Sequence, residues 1–333
     1  MPGKLKRNFI VVLLNIILVC SVPGHLWALN DNDSSYLNHI SFPGIKADPA
    51  FPADSSSFII PFSRAGNLIL IKARVDSTEG NFILDTGCPG LVLNITYFRN
   101  YTRIAESDAE NDGITGSFGV AEHTIVKDFH FGSIRQYNVK GDLVSLGNIE
   151  NSKGVKVLGL VGMRFLKDCE MIIDFEKNQI HFHIISKKEA SKYNHPMLND
   201  TSLYQIIPFD ITDNRIMVKT VMEGKKVRFV IDCAAETNIL DSRLPDKIFE
   251  NVSITGRVLL SGVGSKKIEA VKGNLANFKL GNRNITEMPV LITNLEKTCF
   301  SHGGCVDGVL GFDFLSLQKI GFNFVTRKMF IWK

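Results

Sequence analysis

The sequence predicts an all-β protein in which one unit occurs twice. Apolar runs are short and are separated by glycine and asparagine, which is typical of strands rather than helices. Several motifs recur at a constant spacing, and such self-similarity indicates a repeated structural unit. Segments with a helical pattern are few and short. They cover residues 96–104, 186–193 and 242–249.

The repeat is first visible as Ile60-Pro61-Phe62, which returns as Ile207-Pro208-Phe209. Pro61 precedes Asp85 by 24 residues, and Pro208 precedes Asp232 by the same 24. The two copies are therefore offset by 147 residues through this region, with nothing inserted between these landmarks.

A second landmark lies further along each copy. The segment 159–166 reads Gly-Leu-Val-Gly-Met-Arg-Phe-Leu, and the segment 308–315 reads Gly-Val-Leu-Gly-Phe-Asp-Phe-Leu. The distance from Asp85 to Gly162 is 77 residues, and that from Asp232 to Gly311 is 79. The copies thus differ by a change of two residues in loop length.

Composition indicates a globular chain and argues against a nucleic-acid partner. The 333 residues are 44% hydrophobic and carry a formal net charge of +4, so the chain can bury one or two ordinary cores. Lysine and arginine total 38 against 34 acidic residues. No block of like charge is long enough to follow a phosphate backbone.

The N-terminus predicts export. Lys4, Lys6 and Arg7 precede an apolar run over residues 9–22, which is the pattern of a signal peptide. The run is shorter than the roughly 20 apolar residues that span a membrane. We expect a signal peptide over residues 1–28, a loose lead-in over 29–55 and a periplasmic or extracellular protein without a stable membrane span. Lipidation at Cys20, which would keep the protein at the membrane, is the alternative.

The exported part contains an odd number of cysteines, so at least one thiol lacks a partner within the chain. They are Cys88, Cys169, Cys233, Cys299 and Cys305. Cys299 and Cys305 flank a flexible stretch with two glycines, which favours a local disulfide. A metal site that also uses His302 is the alternative, although no partner cluster is visible elsewhere.

Each copy runs an apolar strand into an aspartate that is followed by small residues. The segments are Asp85-Thr86-Gly87 and Asp232-Cys233-Ala234. An aspartate in such a place often does no more than cap a turn. A carboxyl group directly after a buried strand is costly, however, and its repetition at equivalent positions favours a functional pair.

Asp85-Thr86-Gly87 resembles the Asp-Thr-Gly signature of aspartic proteases, the pepsin and retropepsin superfamily. The apolar triplet before each aspartate and the later Gly-x-x-Gly-x-x-Phe-Leu extend the resemblance to both copies. The sequence is most similar to the retropepsin-like proteins of bacteria. The resemblance implies two homologous six-stranded β-barrel lobes with a few short helices, over residues 56–195 and 196–333.

In that family each lobe supplies one catalytic aspartate, which here implies Asp85 and Asp232. The implied activity is that of an aspartic endopeptidase acting on a peptide or protein through an activated water, without metal or cofactor. Thr86, Gly87, Cys233 and Ala234 would support the pair. Because one chain holds both lobes, we expect a monomer.

The resemblance also implies a β-hairpin flap over the substrate. Gly116, Ser117 and Phe118 lie in a glycine-rich segment at the expected distance from Asp85. The counterpart in the second copy is the segment 261–264. We assign the first segment as the flap.

The second motif departs from the family pattern. Cys233 replaces a hydroxyl with a weak thiol donor, and Ala234 adds a methyl group where glycine is usual. We therefore expect Asp232 to be held less rigidly. A catalytically silent protein that binds peptides or a partner in the same cleft is the alternative function.

Two further alternatives rest on other residues. Cys88 or Cys233 could act as a nucleophile with a histidine, although buried cysteine is far commoner. His181 and His183 alternate on a predicted strand and face one way, so they are either surface residues or a metal-binding pair.

Overall fold

The structure, a computed structural model, describes residues 56–113, 116–190, 192–260, 268–296 and 305–333. Within them it confirms an all-β protein with a few short helices. The predicted signal peptide and lead-in, the segment 261–264, Cys299 and His302 lie outside the described residues. The proposed disulfide between Cys299 and Cys305 therefore stays a prediction.

The strands of the first copy are β1 (Ser57–Pro61), β2 (Ser63–Ala65), β3 (Leu68–Val75), β4 (Thr78–Leu84), β5 (Leu91–Asn94), β6 (Ile104–Gly113), β7 (Gly116–Phe131), β8 (Ile134–Val144), β9 (Gly159–Val161), β10 (Cys169–Asp174) and β11 (Gln179–Ile184). Those of the second copy are β12 (Tyr204–Pro208), β13 (Asp210–Thr212), β14 (Arg215–Met222), β15 (Lys225–Ile231), β16 (Asn238–Asp241), β17 (Val252–Leu260), β18 (Ile268–Leu280), β19 (Arg283–Thr293), β20 (Gly308–Leu310), β21 (Ile320–Asn323) and β22 (Lys328–Trp332).

Two eight-stranded sheets repeat one topology. The N-terminal sheet has the order β2-β3-β4-β9-β5-β8-β7-β6, and the C-terminal sheet has the order β13-β14-β15-β20-β16-β19-β18-β17. These orders correspond strand for strand. In the N-terminal sheet β3 also pairs with β7, which closes β3, β4, β9, β5, β8 and β7 into a six-stranded barrel.

A six-stranded sheet joins the two copies in the order β1-β11-β10-β21-β22-β12. The junction is the antiparallel pair β10 and β21, in which Ile172 lies opposite Gly321. One continuous apolar cluster then runs through all three sheets, with Phe129, Phe182 and Phe229 among its buried members. The two copies therefore share one core. Burial of each such aromatic ring stabilises the fold by roughly 1.5–3 kcal/mol.

The α-helices are short: α1 (Gly147–Lys153), α2 (Asp246–Phe249) and α3 (Phe312–Leu315). The helix predicted at 96–104 is wrong: the segment forms turns, in which the Tyr97 N–H donates to the Asn94 carbonyl at 2.9 Å, and β6 already begins at Ile104. Of the helix predicted at 242–249 only α2 forms. Among the described residues, no helix has both the length and the apolar character needed to cross a membrane.

His181 and His183 are buried on β11, so the expectation that they are surface residues is wrong. The segment after β11 covers them, and the ring of Tyr193 stacks on that of His183 at a centroid distance of 3.6 Å. Ser57 Oγ lies 2.7 Å from His183 Nδ1. In the described part of the chain, no group of three or more potential ligands is arranged to hold a metal ion.

Candidate active site

Asp85 and Asp232 occupy equivalent strand ends. Asp85 directly follows β4, and Asp232 directly follows β15. The Asp85 N–H donates to the Val161 carbonyl at 3.0 Å, and the Asp232 N–H donates to the Leu310 carbonyl at 3.1 Å. Because these acceptors end the neighbouring parallel strands β9 and β20, the sheets position both aspartates in the same way.

One oxygen of each carboxyl group is held by the turn that follows it. The Gly87 N–H donates to Asp85 Oδ1 at 2.8 Å, and the Ala234 N–H donates to Asp232 Oδ1 at 2.9 Å. Both aspartates are completely buried. Neither Oδ2 atom accepts a hydrogen bond from any other described residue. Burial of carboxyl oxygens without a hydrogen-bond donor is costly. The alternative that each aspartate only caps a turn does not explain why these Oδ2 atoms are buried.

The two turns are joined by reciprocal hydrogen bonds. Thr86 Oγ1 donates to the Ile231 carbonyl at 3.0 Å and accepts the Cys233 N–H at the same distance. Cys233 Sγ lies 3.1 Å from the Leu84 carbonyl and accepts the Thr86 N–H at 3.3 Å. The thiol of the second copy thus occupies the position of the hydroxyl of the first. The thiol therefore keeps the hydrogen-bond pattern of the hydroxyl, and the expectation that Asp232 is held less rigidly stays a prediction.

The extra methyl group of Ala234 is also accommodated. Ala234 is buried within an apolar cluster of the N-terminal sheet that includes Leu70, Ile83 and Cys88. Its backbone N–H still reaches Asp232 at nearly the distance found for Gly87. The Gly-to-Ala difference between the copies therefore adds packing across the junction and leaves the carboxyl contact in place.

Burial and mutual repulsion set the protonation of the pair. Burial raises the pKa of Asp85 well above its ordinary value, and the charge of Asp232 raises it further. Burial also raises the pKa of Asp232, while the Ala234 and Ala235 N–H groups, the Asp85 carboxyl and Arg215 oppose that rise. Two close carboxylates cannot both ionise cheaply, so the pair loses its last proton only at a pH well above the ordinary aspartate pKa.

Gly162 and Gly311 let a second backbone segment pack against each aspartate turn. A Cβ at Gly162 would collide with the carbonyls of Cys88 and Gly90, and one at Gly311 with those of Ala235 and Thr237. The Gly162 N–H donates to the Gly90 carbonyl at 2.9 Å. The repeated Gly-x-x-Gly motif is thus explained by close backbone approach.

The thiols near the pair are poor nucleophiles. Burial raises the pKa of the Cys88 thiol well above its ordinary value and also raises that of Cys233. The charges of Asp85 and Asp232 act in the same direction on both thiols. Because the thiolate is the reactive form, this arrangement opposes the cysteine-nucleophile alternative.

The segment assigned as a flap lies on the hairpin of β6 and β7. Gly113 pairs with Gly116, and Asp112 pairs with Ser117, so the backbone of Gly116, Ser117 and Phe118 is at the distal end of this hairpin. Residues 114 and 115 at its tip lie outside the described range. A role as flap remains a prediction.

Two features near the pair escaped the sequence analysis. Arg215 is a buried arginine whose charge lowers the pKa of Asp232. Glu236, four residues after Asp232, forms a 2.7 Å ion pair with Lys153 of α1. Position-by-position comparison of the copies would have exposed both, because the positions 147 residues earlier hold Leu68 and Pro89.

Comparison with known protein families finds a match within the second copy. Residues 218–314 match the sequence model of a family described as aspartyl protease. The matched segment contains Asp232 and Gly311. No curated protein sequence matches the chain. Residues 218–314 are therefore similar to an aspartyl protease domain, which supports the resemblance of the chain to that superfamily.

Proposed function

We propose that this protein is an aspartic endopeptidase whose catalytic groups are Asp85 and Asp232. The observation that carries this proposal is the pairing of two buried carboxyl groups at equivalent strand ends, each with an Oδ2 atom that no other described residue satisfies. The similarity of residues 218–314 to aspartyl proteases supports it independently.

In the proposed reaction the two carboxyl groups share one proton and bind a water molecule. The ionised carboxylate takes a proton from the water, whose oxygen attacks the peptide carbonyl. The protonated carboxyl donates its hydrogen to the carbonyl oxygen, so that no free oxyanion accumulates. Collapse of the tetrahedral intermediate then breaks the C–N bond, and a carboxyl proton passes to the leaving amine. This sequence needs neither metal nor cofactor.

Several features suit such a reaction. The Gly87 and Ala234 N–H groups hold the Oδ1 atoms, which leaves the Oδ2 atoms for the shared proton and the water.

The hairpin of β6 and β7 is proposed to fold over the bound peptide as a flap. Both aspartates come from one chain, so a monomer completes the site. The N-terminal sequence supports export to the periplasm or the extracellular space.

The proposal is tested with protein purified after export, incubated with a mixed peptide library from roughly pH 3 to 8. We expect cleavage products from the native protein and none from Asp85→Asn or Asp232→Asn. Asp210→Asn is the matched control, because Asp210 is an exposed residue of the same C-terminal sheet, paired with Lys219. It should cleave at the native rate. Equal turnover by the native protein and Asp85→Asn would overturn the proposal.

A silent binding protein remains the alternative function, and the Asp-Cys-Ala motif is the feature that favours it. Such a protein would bind library peptides, or an analogue of the tetrahedral intermediate, without hydrolysing them. Saturable binding with no cleavage at any pH would support this alternative against the endopeptidase.

A further inference from the structure

The residues opposite the two aspartates differ in charge. In the C-terminal sheet Ile216 of β14 pairs with Ile231 of β15, so Arg215 occupies the next position, opposite Asp232. In the N-terminal sheet Leu70 pairs with Ile83, and the same register places Leu68 opposite Asp85. Arg215 and Leu68 are 147 residues apart and are therefore equivalent positions of the repeat.

Both side chains are buried: Arg215 is 2% exposed and Leu68 is not exposed at all. A guanidinium group stays charged in proteins, and its attraction to a carboxylate is strong where water is excluded. Leu68 offers the other carboxyl only apolar surface, which favours the neutral acid. At this equivalent position the duplicated fold thus gives Asp232 a charged neighbour and Asp85 an apolar one.

We propose that Arg215 is a positioning residue that keeps Asp232 as the ionised member of the pair and leaves the shared proton on Asp85. Its catalytic meaning rests on the function proposed above. There Asp232 would take the proton from water, and Asp85 would donate to the peptide carbonyl. The order of ionisation is itself a property of the pair that does not depend on turnover.

The surrounding groups are consistent with this order. The charge of Arg215 lowers the pKa of Asp232. Burial lowers the pKa of Arg215 itself, and the charges of Asp213 and Asp232 counter this. The thiols of Cys88 and Cys233, in the turns that follow the aspartates, are neutral because burial raises their pKa.

The order of ionisation can be measured by carbon-13 NMR on the full protein labelled at the aspartate carboxyl carbons, with signals assigned through Asp85→Asn and Asp232→Asn. We expect Asp232 to ionise at the lower pH. In Arg215→Leu its ionisation should move up by about 1 pH unit or more, while Arg215→Lys, which keeps the charge, should restore most of the difference. Ionisation of Asp85 first, or a titration unchanged in Arg215→Leu, would overturn the proposal.

A second variant exchanges the two environments. In the double variant Leu68→Arg/Arg215→Leu the order of ionisation should reverse if charge at this position decides it. If this variant does not fold, the single variants at Arg215 still decide the question. The expected titration in a protein that never cleaves peptides would uphold the inference and reject the endopeptidase. Peptide cleavage together with the opposite order of ionisation would uphold the endopeptidase and reject the inference on Arg215.

Discussion

Thr86 and Cys233 exchange hydrogen bonds across the junction of the two sheets, with Thr86 Oγ1 3.0 Å from the Cys233 nitrogen and Cys233 Sγ 3.3 Å from the Thr86 nitrogen. Each side chain also reaches the backbone carbonyl just before the other copy's aspartate. The relation is symmetric although one residue carries a hydroxyl and the other a thiol. It joins the two carboxyl-bearing turns into one unit.

Cys233→Ala should therefore weaken both the fold and the site. The substitution removes the thiol from the Leu84 carbonyl and leaves the buried Thr86 N–H without its acceptor, which costs about 1–3 kcal/mol. We expect that loss in urea unfolding and a lower kcat/KM. Cys233→Ser, which restores a donor and an acceptor, should recover part of both. Cys169→Ala is the matched control, since its buried thiol lies on β10 and donates to the Phe165 carbonyl at 3.8 Å, and it should leave kcat/KM unchanged.

The stability of the fold should depend on the protonation of the aspartate pair. Below about pH 3 both carboxyl groups are essentially protonated in the folded and unfolded states, and they contribute little pH dependence. As pH rises, the unfolded chain ionises first because burial raises both folded pKa values. Stability must then fall until the folded pair also ionises. Asp85→Asn removes one of these groups.

We therefore expect Asp85→Asn to unfold at higher urea concentration than the native protein at pH about 7, by on the order of 1–3 kcal/mol. At pH about 3 the two should be nearly equal. Asp210→Asn should show no gain in stability that increases with pH, because Asp210 is exposed. A gain for Asp85→Asn that is the same at both pH values would show that packing, not ionisation, is responsible.

Cleavage should follow a bell-shaped pH profile, because the proposed reaction needs one proton on the pair. The alkaline limb reports loss of that proton. Burial raises the pKa of both aspartates, so this limb should lie well above the ordinary aspartate value of about 4. The measurement is kcat/KM across pH with a peptide found in the library. An alkaline limb near pH 4 would contradict the burial of the pair.

Gly162→Ala and Gly311→Ala should each disrupt the turn that follows an aspartate. The added Cβ meets rigid backbone carbonyls rather than a flexible side chain, so overpacking of about 1–3 kcal/mol is expected. Loss of cleavage should accompany a lower Tm. Gly256→Ala is the matched control, because a Cβ there has no neighbour within 4 Å. It should change neither quantity.

Lys153 and Glu236 form a nearly buried ion pair, with side-chain exposures of 11% and 9%. Glu236 also accepts the Asn67 N–H at 3.1 Å, so it connects the turn after Asp232 with the first copy. Lys153→Met should cost about 3 kcal/mol at neutral pH, since it leaves a buried carboxylate unpaired. The loss should shrink on acidification, because the neutral acid needs no cation.

Glu236→Gln in the same chain should remove most of the cost of Lys153→Met, which urea unfolding of the two single variants and the double variant would measure. Lys225→Met is the control, because Lys225 is exposed and lies 3.9 Å from Asp307. It should cost less than about 1 kcal/mol. Additive losses at positions 153 and 236 would show that the pair does not interact.

The sequence by itself determined the duplication, the strand-rich fold and the equivalent positions of Asp85 and Asp232. These three features can be predicted from the sequence, because strand periodicity and the constant offset of 147 residues are visible in it without knowledge of the fold. The sequence also predicts that Cys233 and Ala234 hold Asp232 less rigidly, and the structure adds that both side chains have partners across the junction. Those partners are Leu84, Thr86 and the apolar cluster opposite, which lie far from Cys233 and Ala234 in the sequence.

Only the tertiary structure decided which distant groups surround the pair. Arg215 precedes Asp232 by 17 residues, and the register of β14 against β15 is what brings it opposite that carboxyl. The burial of His183 likewise depends on Tyr193 returning over β11. Chain folding creates these proximities, and since charge acts through space rather than along the sequence, the electrostatics of the site could not be derived from spacing alone.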